Sequence, residues 1–144
     1  KYPGPHDRKS KRLDIVMLGK PNCGKSTLLN SMLQKKIAAT SRKRQTTKSQ
    51  ILGVFNYRKT QLAFYDTPGF VPSFDAGKEE TKRIRDITLS AVSNSDVVLL
   101  VVDASKKMSQ QDLRGFAEMT TLAFEGARQE VVLVLNKVDL VSPK

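Results

Sequence analysis

The chain has 144 residues, 39% of them hydrophobic, and a formal net charge of +11; this is enough apolar material for one core, and no stretch approaches the roughly eighteen uninterrupted apolar residues of a membrane span. Its one cysteine, Cys23, has no partner for a disulfide and no neighbours at metal-ligand spacing, and His6 is equally alone, so a disulfide scaffold and a zinc module are excluded. The charge is lopsided: residues 1–65 hold fifteen Lys or Arg against Asp7 and Asp14, whereas residues 66–144 hold ten against twelve acids.

In chain order, residues 1–12 read as a basic extension without the apolar core of a signal peptide. Its start at Lys1 rather than methionine fits a fragment, or a protein processed after import. "LDIVMLG", Leu13 to Gly19, is a short apolar run with little alternation, which predicts a strand buried on both faces. Ser26 to Gln34 sets Leu28, Leu29, Met32 and Leu33 on one helical face. Lys35, Lys36, Arg42, Lys43, Arg44 and Lys48 then crowd a segment with no carboxylate, a cluster that favours a polyanion. "QILGVFNY" and "TQLAFYD" are strand-like runs joined by about four residues, too few for a crossover helix, and predict an antiparallel hairpin at one edge. Ala76 to Val92 reads as a helix with Ile84, Ile87 and Ala91 on one face. "DVVLLVVD", Asp96 to Asp103, is a second doubly buried strand. Ser109 to Phe124 opens on a capping-box pattern, Ser109 with Asp112, and repeats apolar groups at Leu113, Phe116, Ala117 and Phe124. "EVVLVLN", Glu130 to Asn136, is a third such strand. Strands alternating with helices predict an α/β fold: a mostly parallel sheet with one antiparallel hairpin edge and helices on both faces.

Three motifs fall at strand ends. Gly19, Gly24, Lys25 and Ser26 match G-x-x-x-x-G-K-[ST], the phosphate-binding P-loop, between the first strand and the first helix. The glycines let backbone N–H groups turn toward a polyphosphate, and the helix N-terminus adds partial positive charge. Gly19, Lys20, Pro21, Asn22, Cys23, Gly24, Lys25, Ser26 and Thr27 are therefore expected to line phosphate, with Lys25 reaching the β- and γ-phosphates and the Ser26 hydroxyl ligating Mg²⁺. "NKVD", Asn136 to Asp139, follows the last strand. A carboxylate at Asp139 can accept both N1–H and the 2-amino group of guanine, which adenine lacks; Asn136 can bond N7, and the Lys137 stem can cover the base face. "DTPG", Asp66 to Gly69, ends the second hairpin strand. There Asp66 is placed to hold Mg²⁺ through water and Gly69 N–H to sense the γ-phosphate, with Thr67 and Pro68 between them as switch residues. "QTTK" before the hairpin offers Thr47 as a further Mg²⁺ ligand and switch residue, with Thr46 as the alternative.

With these motifs in place the chain resembles the Era-like ribosome-assembly GTPases, bacterial and organellar, from Leu13 to about Leu140. The general part of the likeness is "GKPNCGKS", "DTPG" and "NKVD"; the specific part is "STLLNSML", the "KKI" after it, and "TSRKRQTT", Thr40 to Thr47. The resemblance implies a Ras-like P-loop NTPase fold and a GTP-driven switch that binds a maturing small ribosomal subunit, its rRNA and associated proteins, and leaves after hydrolysis. It divides the chain into the 1–12 extension and a GTP-binding domain over 13–144. The family's last strand and helix, second guanine-contacting loop and RNA-binding KH domain would lie beyond Lys144. It also implies a potassium ion near the β,γ-bridge, coordinated in part by Asn22, which could equally stabilise the loop.

Phe70 stands where glutamine-dependent GTPases carry the residue that orients water, so that role falls to the backbone of the Thr40–Thr47 loop, a partner or a cation. Cys23 stands where the family has small apolar residues and reads as packing. Six cations around Thr46 and Thr47 exceed what one nucleotide needs, and the basic loop is expected to contact rRNA phosphates. Two functions stay open: a slow GTPase, or a GTP-dependent placeholder on a pre-ribosome with little intrinsic hydrolysis. The expected location is an organelle matrix, mitochondrial first, with a bacterial cytoplasm as the alternative.

Overall fold

A computed structural model of the chain describes residues 11–34, 51–67, 77–125 and 129–141. The first apolar run forms β1, Lys11–Leu18, beginning two residues inside the expected extension. It is followed by α1, Lys25–Gln34; β2, Ile51–Tyr57; β3, Thr60–Asp66; α2, Lys78–Ser93; β4, Val97–Asp103; α3, Gln110–Glu125; and β5, Glu130–Asn136, with a 3-10 turn at Val138–Leu140.

The strands form a sheet in the order β2-β3-β1-β4-β5. β1 lies parallel to β3 and β4, and β4 parallel to β5, while β2 runs antiparallel to β3. The chain leaves central β1 toward one side through the hairpin and toward the other through β4 and β5. Strand order thus reverses at the carboxyl end of β1, the crevice where open α/β sheets bind ligands. The hairpin turn is shorter than expected: Arg58 and Lys59 alone separate the strands, and Tyr57 pairs with Thr60. Arg58 takes a φ of 53, which lets so short a connection follow the strand twist, and its guanidinium lies 5.3 Å from the Tyr57 ring centroid.

Side-chain alternation along β1 divides the core. Val16 and Leu18 pack with Val98 and Leu100 of β4 and with Ala91, Val92, Met119, Leu122 and Ala123 of α2 and α3. Ile15 and Met17 face the other way, onto Phe64, Val101, Cys23 and Leu29, where Leu28, Met32 and Leu33 of α1 also pack. Helices on both sides explain why β1 lacks polar alternation.

Three expected faces differ. α2 buries Ile84, Thr88, Ala91 and Val92, with Ile87 only half-buried. α3 buries Gly115, Met119, Leu122 and Ala123, while Leu113 and Phe124 are 47% and 60% exposed, Ala117 is exposed, and Phe116 is half-buried. At about 100° per residue the Leu113, Ala117 and Phe124 stripe lies on nearly the opposite side of α3 from that set. β5 is not buried on both faces: Val132, Leu133 and Leu135 are exposed, because among the described residues only its Val131 and Val134 are covered by the two cores.

Candidate functional site

β1 ends under the glycine-rich turn, and α1 begins at Lys25. Two residues take left-handed backbone there, Asn22 at φ 63 and Gly24 at φ 97. A Cβ on Gly19 would lie 2.6 Å from Cys23 Sγ and 2.7 Å from the Val101 carbonyl, and one on Gly24 would strike Asn136 Nδ2. Close packing thus requires both glycines, and the left-handed backbone of the turn requires Gly24 a second time. The Lys25 ammonium folds back over the loop, donating to the carbonyls of Gly19 at 2.8 Å and Lys20 at 2.9 Å, with Cys23 Sγ at 3.8 Å. Ser26 and Thr27 are exposed at the first turn of α1, and Cys23 is buried in the α1-side core, as expected of packing. The first turn of α1 holds no acidic residue, so its N-terminal partial charge is left for an anion.

The second loop is bound to the first. Asn136 Nδ2 donates to the Cys23 carbonyl at 3.0 Å. Lys137, in left-handed backbone at φ 62, donates through Nζ to the Asn22 carbonyl at 2.9 Å and to Asp103 Oδ2 at 2.8 Å. Asp139 lies in the 3-10 turn and is exposed. Residues 113 to 115 positions apart in sequence therefore share one crest.

Sequence reasoning missed two acids. Asp103 ends β4 opposite Asn136 in the β4–β5 ladder; its Oδ1 accepts from Ser105 N at 3.0 Å and Ser105 Oγ at 2.5 Å. Lys137 and, after it, Ser105 hold this carboxyl down at about 2. Asp112, read only as half of a capping box, does form it: Ser109 N donates to Asp112 Oδ2 at 2.9 Å, and Asp112 N donates to Ser109 Oγ at 3.1 Å. Its other oxygen takes Lys20 Nζ of the phosphate loop at 2.5 Å, and the Lys20 ammonium, ahead of Ser109, holds it well below the usual carboxylate range. An acid closing an apolar strand, in register with an asparagine closing the next, was the available signal for Asp103. Beside these contacts lies a cavity of about 170 Å³ lined by Lys20, Cys23, Val101, Asp112, Phe116 and Met119 among others.

Thr67 is buried, and its hydroxyl donates to the Met17 carbonyl at 3.0 Å, so it braces β3 against β1. Asp66 closes β3 beside Met17, its register partner. Thr46, Thr47, Pro68, Gly69, Phe70 and the cations Lys35, Lys36, Arg42, Lys43, Arg44 and Lys48 lie outside the described residues. Among the described residues no group of three or more His, Cys, Asp or Glu is placed to hold a metal ion, and no helix is long and apolar enough to cross a membrane.

Residues 14–137 match the family described as 50S ribosome-binding GTPase. The chain is 41% identical over 128 residues to GTPase Era of Geotalea daltonii, covering 89% of this chain and 40% of that protein. It is 37% identical over 134 residues to the chloroplastic GTPase ERA-like protein of Oryza sativa subsp. japonica, covering 90% and 29%. It thus spans about 40% or less of the curated relatives it matches. Among solved structures, Era in complex with MgGDPNP and nucleotides 1506–1542 of 16S ribosomal RNA aligns with a TM-score of 0.65 at 30% identity, covering 93% of this chain and 43% of that one. Aquifex aeolicus Era bound to GDP.AlF4⁻ aligns with a TM-score of 0.65 at 31% identity, covering 92% and 43%. The chain belongs to the 50S ribosome-binding GTPase family, as a P-loop GTPase domain of the Era-like kind.

Proposed function

We propose that this domain is a guanine-nucleotide switch that governs the hold of a longer protein on a maturing small ribosomal subunit and its rRNA. The observation that carries the nucleotide half is the crest where Asn136 and Lys137 bond the carbonyls of Cys23 and Asn22. A base loop and a phosphate loop fixed side by side suit one nucleotide spanning both. In this reading the P-loop N–H groups and Lys25 bind the β- and γ-phosphates, Asp139 selects guanine, and the Lys137 stem covers the base. The donor set fits Mg²⁺: the Ser26 hydroxyl is exposed beside the loop, and a magnesium ion shared with phosphates needs few protein ligands. Ser26, Thr47 and Asp66, the last through water, would hold it, with Thr46 as the alternative to Thr47. Bound there, Mg²⁺ would neutralise charge developing on the phosphates. Gly69 N–H would register the γ-phosphate. Asn22, exposed in the phosphate loop and in left-handed backbone, would lend its side chain to a potassium ion, and exchange of sodium for potassium should raise turnover only while Asn22 is present.

The ribosomal half rests on the solved Era complex with 16S rRNA and on the basic segment around Thr46 and Thr47. We assign Lys35, Lys36, Arg42, Lys43, Arg44 and Lys48 to rRNA phosphates. Neutralising Arg42, Lys43 and Arg44 in the full-length protein should weaken binding to small-subunit particles and flatten its salt dependence by about 0.7 to 0.9 log units per lost contact; unchanged binding at every salt concentration would remove the loop from the interface. The chloroplastic relative and the basic amino-terminal residues support an organelle matrix, with a bacterial cytoplasm, suggested by the bacterial Era relatives, as the alternative. Single-turnover GTP hydrolysis tests the enzymatic role. A rate on the order of 10⁻⁴ to 10⁻² s⁻¹ without particles, with loss of particle binding after hydrolysis, supports the switch; hydrolysis seen only on particles, or not at all, supports the placeholder.

A further inference from the structure

We propose that Asp103, at the end of β4, is a positioning residue for guanine nucleotide: it fixes the Lys137 ammonium and thereby the stem that lies against the base. The inference rests on residues 136–139 forming the base loop. Asp103 is the most enclosed carboxylate in any described ion pair, with 10% of its side chain exposed, against 29% for Lys137. Neither residue is held there by chance of surface charge. The β4–β5 ladder sets Asp103 opposite Asn136, and Ala104 N donates to the Asn136 carbonyl at 2.9 Å, so the backbone that carries the acid is stitched to the backbone that carries the loop.

The carboxylate is also anchored from its own side. Ser105 occupies Oδ1 through both its backbone N–H and its hydroxyl, leaving Oδ2 for Lys137 at 2.8 Å. The ammonium has three donors. One goes to Asp103 and one to the Asn22 carbonyl. With the backbone in the left-handed region and the head held at two points, the four-carbon stem has little freedom left, although a lysine side chain is otherwise among the most mobile. Removing the acid leaves one neutral acceptor for the ammonium; the stem then regains rotamers that nucleotide binding must order again. Both oxygens of Asp103 are taken by Ser105 and Lys137, which leaves none to address the phosphates directly. Its loss should therefore appear in nucleotide retention rather than in the chemical step.

The test uses the full-length protein and a fluorescent GDP, with Asp103→Asn as the main variant because the amide keeps the shape and still offers Ser105 an acceptor. GDP dissociation should accelerate about tenfold, the scale of one lost charge-assisted hydrogen bond, while the single-turnover hydrolysis constant at saturating GTP changes less than twofold. Lys137→Ala should accelerate dissociation to a similar extent, the double variant should add nothing, and Asp103→Glu should recover part of the loss. Should Asp103→Asn fail to fold, Ser105→Ala carries the test, with a smaller acceleration expected. Wild-type dissociation in a variant whose only defect is a lower melting temperature would overturn the proposal, as would additive effects of Asp103→Asn and Lys137→Ala. An Asp139→Asn arm separates the premises: if that variant gains no preference for xanthosine nucleotides, the base-loop reading fails; if it does and Asp103→Asn is silent, the positioning role fails alone.

Discussion

Gly24 carries two constraints at once. Its φ of +97 is costly for any residue with a side chain, and a Cβ would collide with the Asn136 amide that donates to Cys23. Gly24→Ala should therefore weaken nucleotide binding by more than tenfold, through both loops together; isothermal titration with GDP checks this, and a loss under twofold would show that the crest yields easily. The paired carboxylates set an acid limit. Both Asp103 and Asp112 titrate lower when folded than the ordinary carboxylate value of about 4. Their contribution is fully present above that value and disappears as pH falls from about 4 toward 2. Unfolding midpoints should accordingly be insensitive to these groups between pH 5 and 7 and drop below pH 4, with a shallower drop in Asp103→Asn. The backbone demands met by Gly19 and Gly24 were legible in the sequence, because a tight turn and close packing dictate residue type locally. The Lys137–Asp103 and Lys20–Asp112 bridges were not, since each needs the spatial register of elements far apart in the chain.

At the scale of elements, patterns held where a helix or strand is enclosed on the side the pattern marks. The burial of β1 on both faces, the single face of α1 and the Ser109–Asp112 cap of α3 follow directly from the residues. The inward face of α3 did not, because its buried set includes Gly115 and Met119 while conspicuous apolar side chains, Leu113 and Phe124, point outward. Hydrophobicity of type misleads when a small residue permits close approach and a large one is left outside. Met119→Ala should cost about 2–5 kcal/mol and Leu113→Ala no more than about 0.5 kcal/mol; denaturant unfolding of the two variants side by side checks the assignment, and equal losses would contradict it. β5 shows the same limit from the strand side: a valine-rich run predicts burial, yet exposure depends on what stands beside it, and here only Val131 and Val134 are covered by the described cores.

At the scale of the molecule, α/β class, helices on both faces and the hairpin edge were readable because period and spacing encode them. The hairpin turn itself, Arg58 and Lys59 between the two quoted runs, is formed without any glycine, Arg58 taking the left-handed backbone instead. Charge is divided along the chain: carboxylates gather in the second half, where Asp103 holds Lys137, Asp112 holds Lys20 and Asp139 is the proposed guanine acceptor, while the basic first half carries the phosphate loop and the candidate rRNA contacts. What joins them is the claim that one guanine nucleotide bridges the P-loop and residues 136–139. Competition binding in the full-length protein, with GTP, ATP and XTP against the same labelled GDP, tests that claim most directly. The account predicts that GTP displaces the label while ATP does not, at a discrimination of roughly 10⁴-fold, and that Asp139→Asn moves the preference to XTP. Equal displacement by ATP and GTP, or an Asp139→Asn protein that still prefers GTP, would contradict it.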